Sequence, residues 1–342
     1  MNEKNKHLRY DNPPVIEVWR GSFLECIHRG AAVVVDLAGN ILFEVGDVTR
    51  PIYARSSLKP LQALAMVESG AATHYRLDGA HLSLACASHN GEKAHVDRVM
   101  KWLSAIDADE STLECGAHYP LDQPARDELV CQDLKPQRVH NNCSGKHSGF
   151  LTLARYLGID PVGYIEPNHP LQQEITRTVE ETCDYALGDA EPGVDGCGIP
   201  VYGIPLFSLA NAFAAFSTRA NGGDVRAKSR QAIVDGILEY PYLIAGRERF
   251  DSRVIEASRG GAIVKTGAEG VFIGTLLDEG IGIALKIDDG ATRASEVLMA
   301  ELLARFSRNP VFVEALDAER NIPIKNAAGL TVGAVRAAAL SV

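Results

Sequence analysis

The sequence predicts an α+β fold in which an antiparallel sheet, contributed by both ends of the chain, is covered by helices. Three observations lead to this prediction. β-rich runs lie near both termini, the middle of the chain is mainly helical and rich in loops, and strands and helices alternate too irregularly for a doubly wound parallel sheet. A chain of 342 residues, of which 46% are hydrophobic, can bury a substantial core.

The first elements can be placed from turn residues and periodicity. In residues 31–46, two β-rich runs flank Gly39-Asn40, which is the pattern of a hairpin. In residues 57–69 the apolar positions recur at helical spacing, and Gly70 is placed to end that helix. The chain therefore begins with strands and then changes to helix.

The remaining elements follow in order. Residues 81–86 form a short apolar, strand-like run, and residues 93–106 have a helical pattern. A second clear helix is predicted over Pro170–Cys183, with Asn168 as its N-cap. Further helices are predicted at 206–216, 227–237 and 291–306, and strands at 262–265, 271–277, 282–287 and 328–336.

Charge and the N-terminal segment limit the classes of partner. The formal net charge is −10 at pH 7, so the surface repels phosphate backbones and anionic membranes, and we expect neither nucleic acid nor membrane as a partner. Residues 1–14 are polar and lack an apolar run, unlike a secretory signal or a transmembrane segment. We interpret them as a flexible arm before a single catalytic domain, residues 15–342, in a cytoplasmic protein.

The sharpest local signal is the pair Ser56 and Lys59 in the sequence Ser-Ser-Leu-Lys. If Ser56 opens the following helix, Lys59 lies one turn on and on the same side. A serine hydroxyl becomes a nucleophile when a neighbouring base removes its proton, and a lysine held neutral can be that base. The alternative is an ordinary helix start with a solvated lysine.

Two further motifs have the same chemical character. Ser88-His89-Asn90 follows the strand-like run, and Lys265 begins the sequence Lys-Thr-Gly near the C-terminus. Ser-x-x-Lys, Ser-x-Asn and Lys-Thr-Gly, in this order, resemble the motifs of serine β-lactamases and penicillin-binding enzymes. Each motif is common alone, but their order favours a serine hydrolase.

Two glycine-flanked segments, residues 140–149 and 193–200, are interpreted as loops that can approach a ligand closely. They contain Cys143 and Cys197, which could be metal ligands or simply reduced thiols beside a loop. Candidate ligands also include the histidines at 140 and 147, although a hydrogen-bonded structural role is the more common one for such residues. Asp195 could bind a substrate ammonium group or cap a turn.

Together these motifs resemble the rhizobial-type, or class 3, L-asparaginases of the asparaginase II family. The resemblance runs from about residue 15 to about residue 338. It rests on five segments: 55–60 (RSSLKP), 86–92 (CASHNGE), 142–147 (NCSGKH), 195–198 (DGCG) and 265–267 (KTG).

The resemblance implies a serine-β-lactamase-like fold, hydrolysis of L-asparagine to L-aspartate and ammonia, and a homodimer. It implies two serine–lysine pairs, Ser56 with Lys59 and Ser88 with Lys265. It also implies a Zn²⁺ ion held by three residues near the catalytic serines, and two residues that bind substrate or hold the site. The implied metal ligands are Cys143, Lys146 and Cys197, and the implied substrate-binding residues are Asp195 and Arg55.

The leading hypothesis is an L-asparaginase in which Ser56 attacks the side-chain amide, Lys59 takes its proton, and water hydrolyses the acyl-enzyme. Ser88 and Lys265 would relay protons or support the oxyanion. A glutaminase uses the same chemistry and stays open, as does a penicillin-recognising serine hydrolase, which has no need of the two cysteine segments. A binding protein that kept the fold would have lost a central group, yet every expected serine and lysine is present.

Overall fold

The computed structural model describes residues 11–187, 192–218 and 224–340. Its strands are β1 (Pro14–Arg20), β2 (Phe23–Asp36), β3 (Ile41–Val45), β4 (Pro51–Tyr53), β5 (Gly193–Val194), β6 (Pro200–Val201), β7 (Gly203–Pro205), β8 (Ala262–Gly267), β9 (Val271–Leu276), β10 (Ile281–Ile287), β11 (Asn321–Lys325) and β12 (Thr331–Ala337). Its helices are α1 (Lys59–Glu68), α2 (Ala71–His74), α3 (Gly79–Ala85), α4 (Lys93–Ala105), α5 (Gln123–Cys131), α6 (Ser144–Leu157), α7 (Pro170–Cys183), α8 (Leu206–Ala214), α9 (Val225–Glu239), α10 (Phe250–Ser258), α11 (Thr292–Phe306), α12 (Pro310–Ala315) and α13 (Asp317–Arg320).

The main sheet is antiparallel and joins the two ends of the chain. Among the described residues its strand order is β11-β12-β1-β2-β10-β9-β8, and β3 pairs with β2. The N-terminal β1 pairs with the C-terminal β12, with Val18 opposite Val335. The prediction of an α+β fold with an antiparallel sheet contributed by both chain ends is therefore confirmed.

Helices α8 and α11 cover opposite faces of this sheet. Thr275 on β9 and its cross-strand partner Gly282 share one face, where Thr275 Oγ1 donates to the Phe213 carbonyl of α8 at 2.8 Å. The preceding residue, Gly274, points the other way, and a Cβ added there would lie 3.1 Å from Met299 Sδ on α11. Because both faces are covered, all six residues of β9 are buried.

Several predicted elements are confirmed with small differences at their ends. The hairpin at 31–46 is β2 paired with β3, and α4 and α7 lie where helices were predicted. His169, rather than Asn168, caps α7, because its ring accepts a hydrogen bond from the Leu171 amide at 3.2 Å. The helix predicted at 57–69 begins as a 3₁₀ turn, Arg55–Leu58, and continues as α1.

Two predictions of local structure were wrong. The strand-like run at 81–86 is part of helix α3, which Asp78 caps by accepting from the His81 amide. The segment 140–149 is not a loop throughout, since helix α6 begins at Ser144 and buries its whole first turn. In both segments the few apolar residues are separated by small and polar residues. The helical period could therefore not be recognised in the sequence.

The predicted arm, residues 1–14, lies mostly outside the described residues. Where it is described it is anchored, because Asn12 is buried, donates to Asp288 at 2.8 Å and accepts from the Asp47 amide at 2.8 Å. Across the described parts of the chain, every helix is too short or too polar to cross a membrane.

Candidate functional site

Ser56 lies in the 3₁₀ turn that joins β4 to α1. Arg55, just before it, adopts a left-handed conformation with φ of 53°, which costs a non-glycine residue about 1–3 kcal/mol and is common at functional sites. The next residue, Ser57, is buried and its hydroxyl donates to the Ala54 carbonyl at 2.6 Å. Ser56 is only half-buried, and its side chain forms no hydrogen bond with the described residues. Of the two serines, Ser56 has the free hydroxyl.

Two buried lysines converge on the hydroxyl of Ser88. Lys59 Nζ donates to Ser88 Oγ at 2.9 Å and to the Ala87 carbonyl at 2.5 Å. Lys265 Nζ donates to the same Ser88 Oγ at 3.0 Å and to its neighbour's carbonyl at 2.9 Å. The sequence assigned Lys59 to Ser56, whereas its hydrogen bonds in this structure go to the segment 87–88.

The Ser88 segment is fixed by main-chain and side-chain hydrogen bonds. After α3 ends, the Ser88 amide donates to the Ile244 carbonyl at 2.9 Å, and the Asn90 amide donates to the Ala245 carbonyl at 2.8 Å. Arg249 donates to Asn90 Oδ1 at 2.9 Å. These contacts hold Ser88 where the lysines from α1 and β8 can both reach it.

The packing around Gly267 explains why the Lys-Thr-Gly motif ends in glycine. A Cβ on Gly267 would lie 2.7 Å from the Ala54 carbonyl oxygen and 3.3 Å from the Ser57 amide nitrogen. Only a glycine lets β8 pack this closely against the turn that carries Ser56. The motif therefore brings Lys265 and Ser56 into the same site.

Burial lowers the pKa of Lys265 to about 7, and the positive charge of Lys59 acts in the same direction. Asp251 opposes both, with its Oδ1 3.7 Å from Lys265 Nζ. A lysine with such a pKa is partly neutral at physiological pH and can act as a base.

Asp195 and Arg55 form an ion pair beside this centre. Arg55 Nε donates to Asp195 Oδ1 at 2.8 Å, and the Gly196 amide donates to the same oxygen at 2.8 Å. Burial alone would raise the pKa of Asp195, but Lys146 and the Arg55 hydrogen bond outweigh it and lower the pKa. The carboxylate is therefore ionised and suited to an ammonium group.

The three predicted metal ligands lie together. Lys146 Nζ is 2.9 Å from Cys197 Sγ, and the Cys143 thiol donates to that sulfur. This hydrogen bond and the charge of Lys146 lower the pKa of Cys197 to about 5, although burial acts in the opposite direction. The same hydrogen bond and burial raise the pKa of Cys143 to about 12. Cys197 is thus a thiolate beside an ammonium group.

This donor set is compatible with zinc. Two sulfurs and one amine converge from α6 and the segment 195–198, and zinc accepts such ligands once the amine is neutral. Within the described ranges there is no group of three or more histidine, cysteine, aspartate or glutamate side chains placed to hold a metal ion. The two other candidate ligands have structural partners: His147 Nδ1 bonds the Tyr164 hydroxyl at 2.6 Å, and His140 Nδ1 accepts from the Gln137 amide at 3.0 Å.

Ser56, Lys59, Lys146 and Asp195 line one small cavity of about 10 Å³, which is room for roughly one water molecule. A neighbouring groove of about 720 Å³ shares three lining residues with it, Arg55, Val201 and Tyr202. The groove is therefore the open side of the site.

Sequence reasoning missed Asp251, the buried partner of Lys265. It lies in the first turn of α10, a helix that was not predicted, and its Oδ1 accepts the Thr266 amide at 2.7 Å. An acidic residue in a first turn is an ordinary helix-start signal. Nothing in the sequence pointed from it to a lysine 14 residues away.

A family model agrees with the motifs. The model of the family L-asparaginase II matches residues 16–337. Among curated proteins there is no match. Similar solved structures include a β-lactamase from Mycobacterium bovis, 16% identical, with TM-score 0.41, covering 81% of this chain and 94% of that one. Another is simvastatin synthase from Aspergillus terreus, 12% identical, with TM-score 0.34, covering 84% and 92%. The family match spans nearly the whole chain, which therefore belongs to the L-asparaginase II family.

Proposed function

We propose that this protein is an L-asparaginase that hydrolyses L-asparagine to L-aspartate and ammonia through a lysine-activated serine. The observation that carries the proposal is the convergence of Lys59 and Lys265 on Ser88, together with the cavity that Lys59 and Ser56 both line. Family membership over residues 16–337 supports the same reaction class, a hydrolase that acts on a small molecule.

In this proposal Ser56 attacks the side-chain carbonyl carbon and forms an ester with the aspartyl group, and the amide nitrogen leaves as ammonia. Lys59 takes the Ser56 proton, since both side chains line the same cavity. Ser88 connects Lys59 to Lys265, which receives the proton when it is neutral. The same route in reverse delivers this proton to the amide nitrogen, which needs it to leave as ammonia. Lys59 then takes a proton from the water that attacks the ester and passes it to Ser56 Oγ.

Substrate recognition is assigned to the ion pair at the cavity wall. The ionised Asp195 would take the α-ammonium group of asparagine, and the Arg55 guanidinium would take its α-carboxylate. The two residues bind each other at 2.8 Å, so substrate would replace one ion pair with two. Entry is from the groove, because Arg55 lines both the groove and the cavity.

A Zn²⁺ ion held by Cys143, Lys146 and Cys197 is part of the proposal. The ion would tie α6 to the segment 195–198 and position the substrate beside Asp195. Two thiolates and a neutral amine would balance its charge. Its main effect would then be on substrate binding and on loop order, and less on water activation.

Ammonia release tests the function directly. Purified protein is assayed with L-asparagine, L-glutamine, β-aspartyl dipeptides and the cephalosporin nitrocefin in parallel, with Ser56→Ala as the matched control. We expect ammonia from asparagine at a higher rate than from glutamine, and none above background from Ser56→Ala. Turnover of nitrocefin without ammonia release would instead identify a penicillin-recognising hydrolase.

A further inference from the structure

Asp251 is a buried carboxylate that has no role in the reaction described above. It is 1% exposed and lies in the first turn of α10. Its Oδ1 accepts the Thr266 amide at 2.7 Å and lies 3.7 Å from Lys265 Nζ. The carboxylate therefore holds both the backbone of β8 and the amine that this strand presents to Ser88.

The charges around Lys265 show how strongly its amine depends on Asp251. Of the charges that act on the amine, Asp251 is the largest, while Lys59 on α1 and Arg249 before α10 oppose it. The thiols of Cys143 and Cys86 also face it, and burial raises the pKa of Cys86 to about 12, so this thiol is neutral. Without Asp251, the amine would be surrounded by other cations and neutral groups.

A second acidic group, Glu296 on α11, interacts electrostatically with Asp251. Burial first, and then the charge of Asp251, raises the pKa of Glu296 to about 7. Two neighbouring carboxyl groups resist double ionisation, so the more exposed Glu296 holds a proton near neutrality. Asp251 has the Thr266 amide and the Lys265 amine as its partners.

We propose that Asp251 is the positioning residue of the Ser88–Lys265 pair, holding the Lys265 amine against Ser88 and governing how readily it accepts the serine proton. The step is one proton transfer from Ser88 Oγ to neutral Lys265 Nζ, while Ser88 takes a proton from Lys59. This inference rests on the proposed function. It adds a residue that the Ser-x-x-Lys, Ser-x-Asn and Lys-Thr-Gly motifs do not contain.

The test is the pH dependence of kcat/KM for asparagine in Asp251→Asn. This variant keeps the acceptor for the Thr266 amide but removes the charge. Loss of an opposite charge at this distance favours the neutral amine, so the rising limb moves to lower pH by about one to three pH units. The plateau also falls, because a less basic and less firmly held amine is a poorer base.

Two controls separate this role from a structural one. Asp251→Glu retains the charge and should leave the limb close to its wild-type position, while Glu296→Gln removes the neighbouring carboxyl group and should not shift it. A folded Asp251→Asn whose profile superimposes on that of the wild type would overturn the inference. The wild-type measurement separates this result from failure of the proposed function, which would be absence of asparagine turnover.

If Asp251→Asn does not fold, the double variant Asp251→Asn/Lys265→Gln shows whether Asp251 acts through Lys265. Its stability can be measured without any activity. A folded double variant shows that the unpaired Lys265 charge was the cause, as the inference requires. An unfolded double variant shows that Asp251 acts on the fold independently of Lys265, and the inference is then rejected.

Discussion

At the scale of single residues, two buried lysine amines organise the site. Lys59 and Lys265 are each 1% exposed and both donate to Ser88 Oγ. Two adjacent buried ammonium groups repel each other and lack hydration, so the neutral form of one is favoured. Burial lowers the pKa of Lys265 to about 7, so this amine is partly neutral at physiological pH.

The first prediction concerns the pH dependence of the wild type. Lys265 is a base only when neutral, and burial lowers its pKa, so its active form increases as pH rises through about 7. We expect kcat/KM for asparagine to rise about tenfold per pH unit below this value and to level off above it. Steady-state rates from pH 5 to 9 measure this. A profile already flat at pH 5 would contradict a lysine base.

The second prediction concerns the metal. Cys143→Ala should lose the zinc and raise KM for asparagine, while kcat falls less than in Ser56→Ala, because the ion is assigned to substrate positioning. Cys183→Ala is the matched control, since Cys183 is a buried thiol on α7 whose pKa is raised by burial alone. Elemental analysis of protein purified without added zinc or chelator gives the metal content. Equal content in wild type, Cys143→Ala and Cys197→Ala would return both cysteines to the role of buried thiols.

At the scale of elements, the close approach of α6 to α3 places Cys143 and Lys146 beside the serines. A Cβ on Gly145 would lie 2.3 Å from the Leu84 carbonyl oxygen, a distance that real structures do not permit. The N-terminal turn of α6 therefore packs directly against the backbone of α3. Ser88 follows α3 by two turn residues, so this contact sets the distance between the proposed metal ligands and Ser88.

The third prediction tests this contact. Gly145→Ala should destabilise the protein by about 1–3 kcal/mol, because the added methyl group must push α3 and α6 apart. Gly149→Ala, one turn later in the same helix, meets Met66 Sδ at 3.5 Å, an ordinary contact, and should change stability by less than about 1 kcal/mol. Urea unfolding of both variants provides the comparison. Equal stability of the two would show that the helices can separate without cost.

The sequence predicted the elements that are long enough to show a clear apolar period. Helices α4, α7 and α11 and strands β8 to β10 have apolar patterns that can be recognised in the sequence, and they lie where they were expected. Helix α3 has seven residues, too few to distinguish a buried helix from a strand. The start of α6 contains glycine, serine and lysine, and only its tertiary contacts show that it is buried.

The motifs identified the site residues, but they could not predict which residues these side chains contact. Lys59 reaches Ser88, 29 residues away, rather than Ser56 one turn before it. Asp251 has no motif at all, and its partner Lys265 comes from another element. Such contacts depend on how α1, α3, α10 and β8 pack together, which local spacing does not determine.

At the scale of the whole molecule, the site lies where the edge of the sheet meets the helices. Strand β8 is the last strand of the order that begins with β11, and it presents Lys265 toward α1 and α3. The hydrophobic core continues from the sheet into the helical region. A rigid framework therefore supports the lysines, as accurate placement of catalytic groups requires.

The fourth prediction concerns assembly. The family resemblance implies a homodimer, so sedimentation equilibrium at micromolar concentration should give twice the chain mass of 36.8 kDa. The wild type is measured over a range of concentrations, because a weak dimer dissociates on dilution. A mass of one chain at every concentration would contradict the expected assembly.

In the proposed reaction, Ser56 is acylated by asparagine, with lysine as its base. Rapid quenching of the enzyme with L-asparagine, followed by proteolysis and mass spectrometry, tests this claim directly. We expect an aspartyl ester on the peptide that carries Ser56, and no such ester in Ser56→Ala treated in the same way. An ester on the peptide that carries Ser88, or ammonia release by a fully active Ser56→Ala, would contradict it.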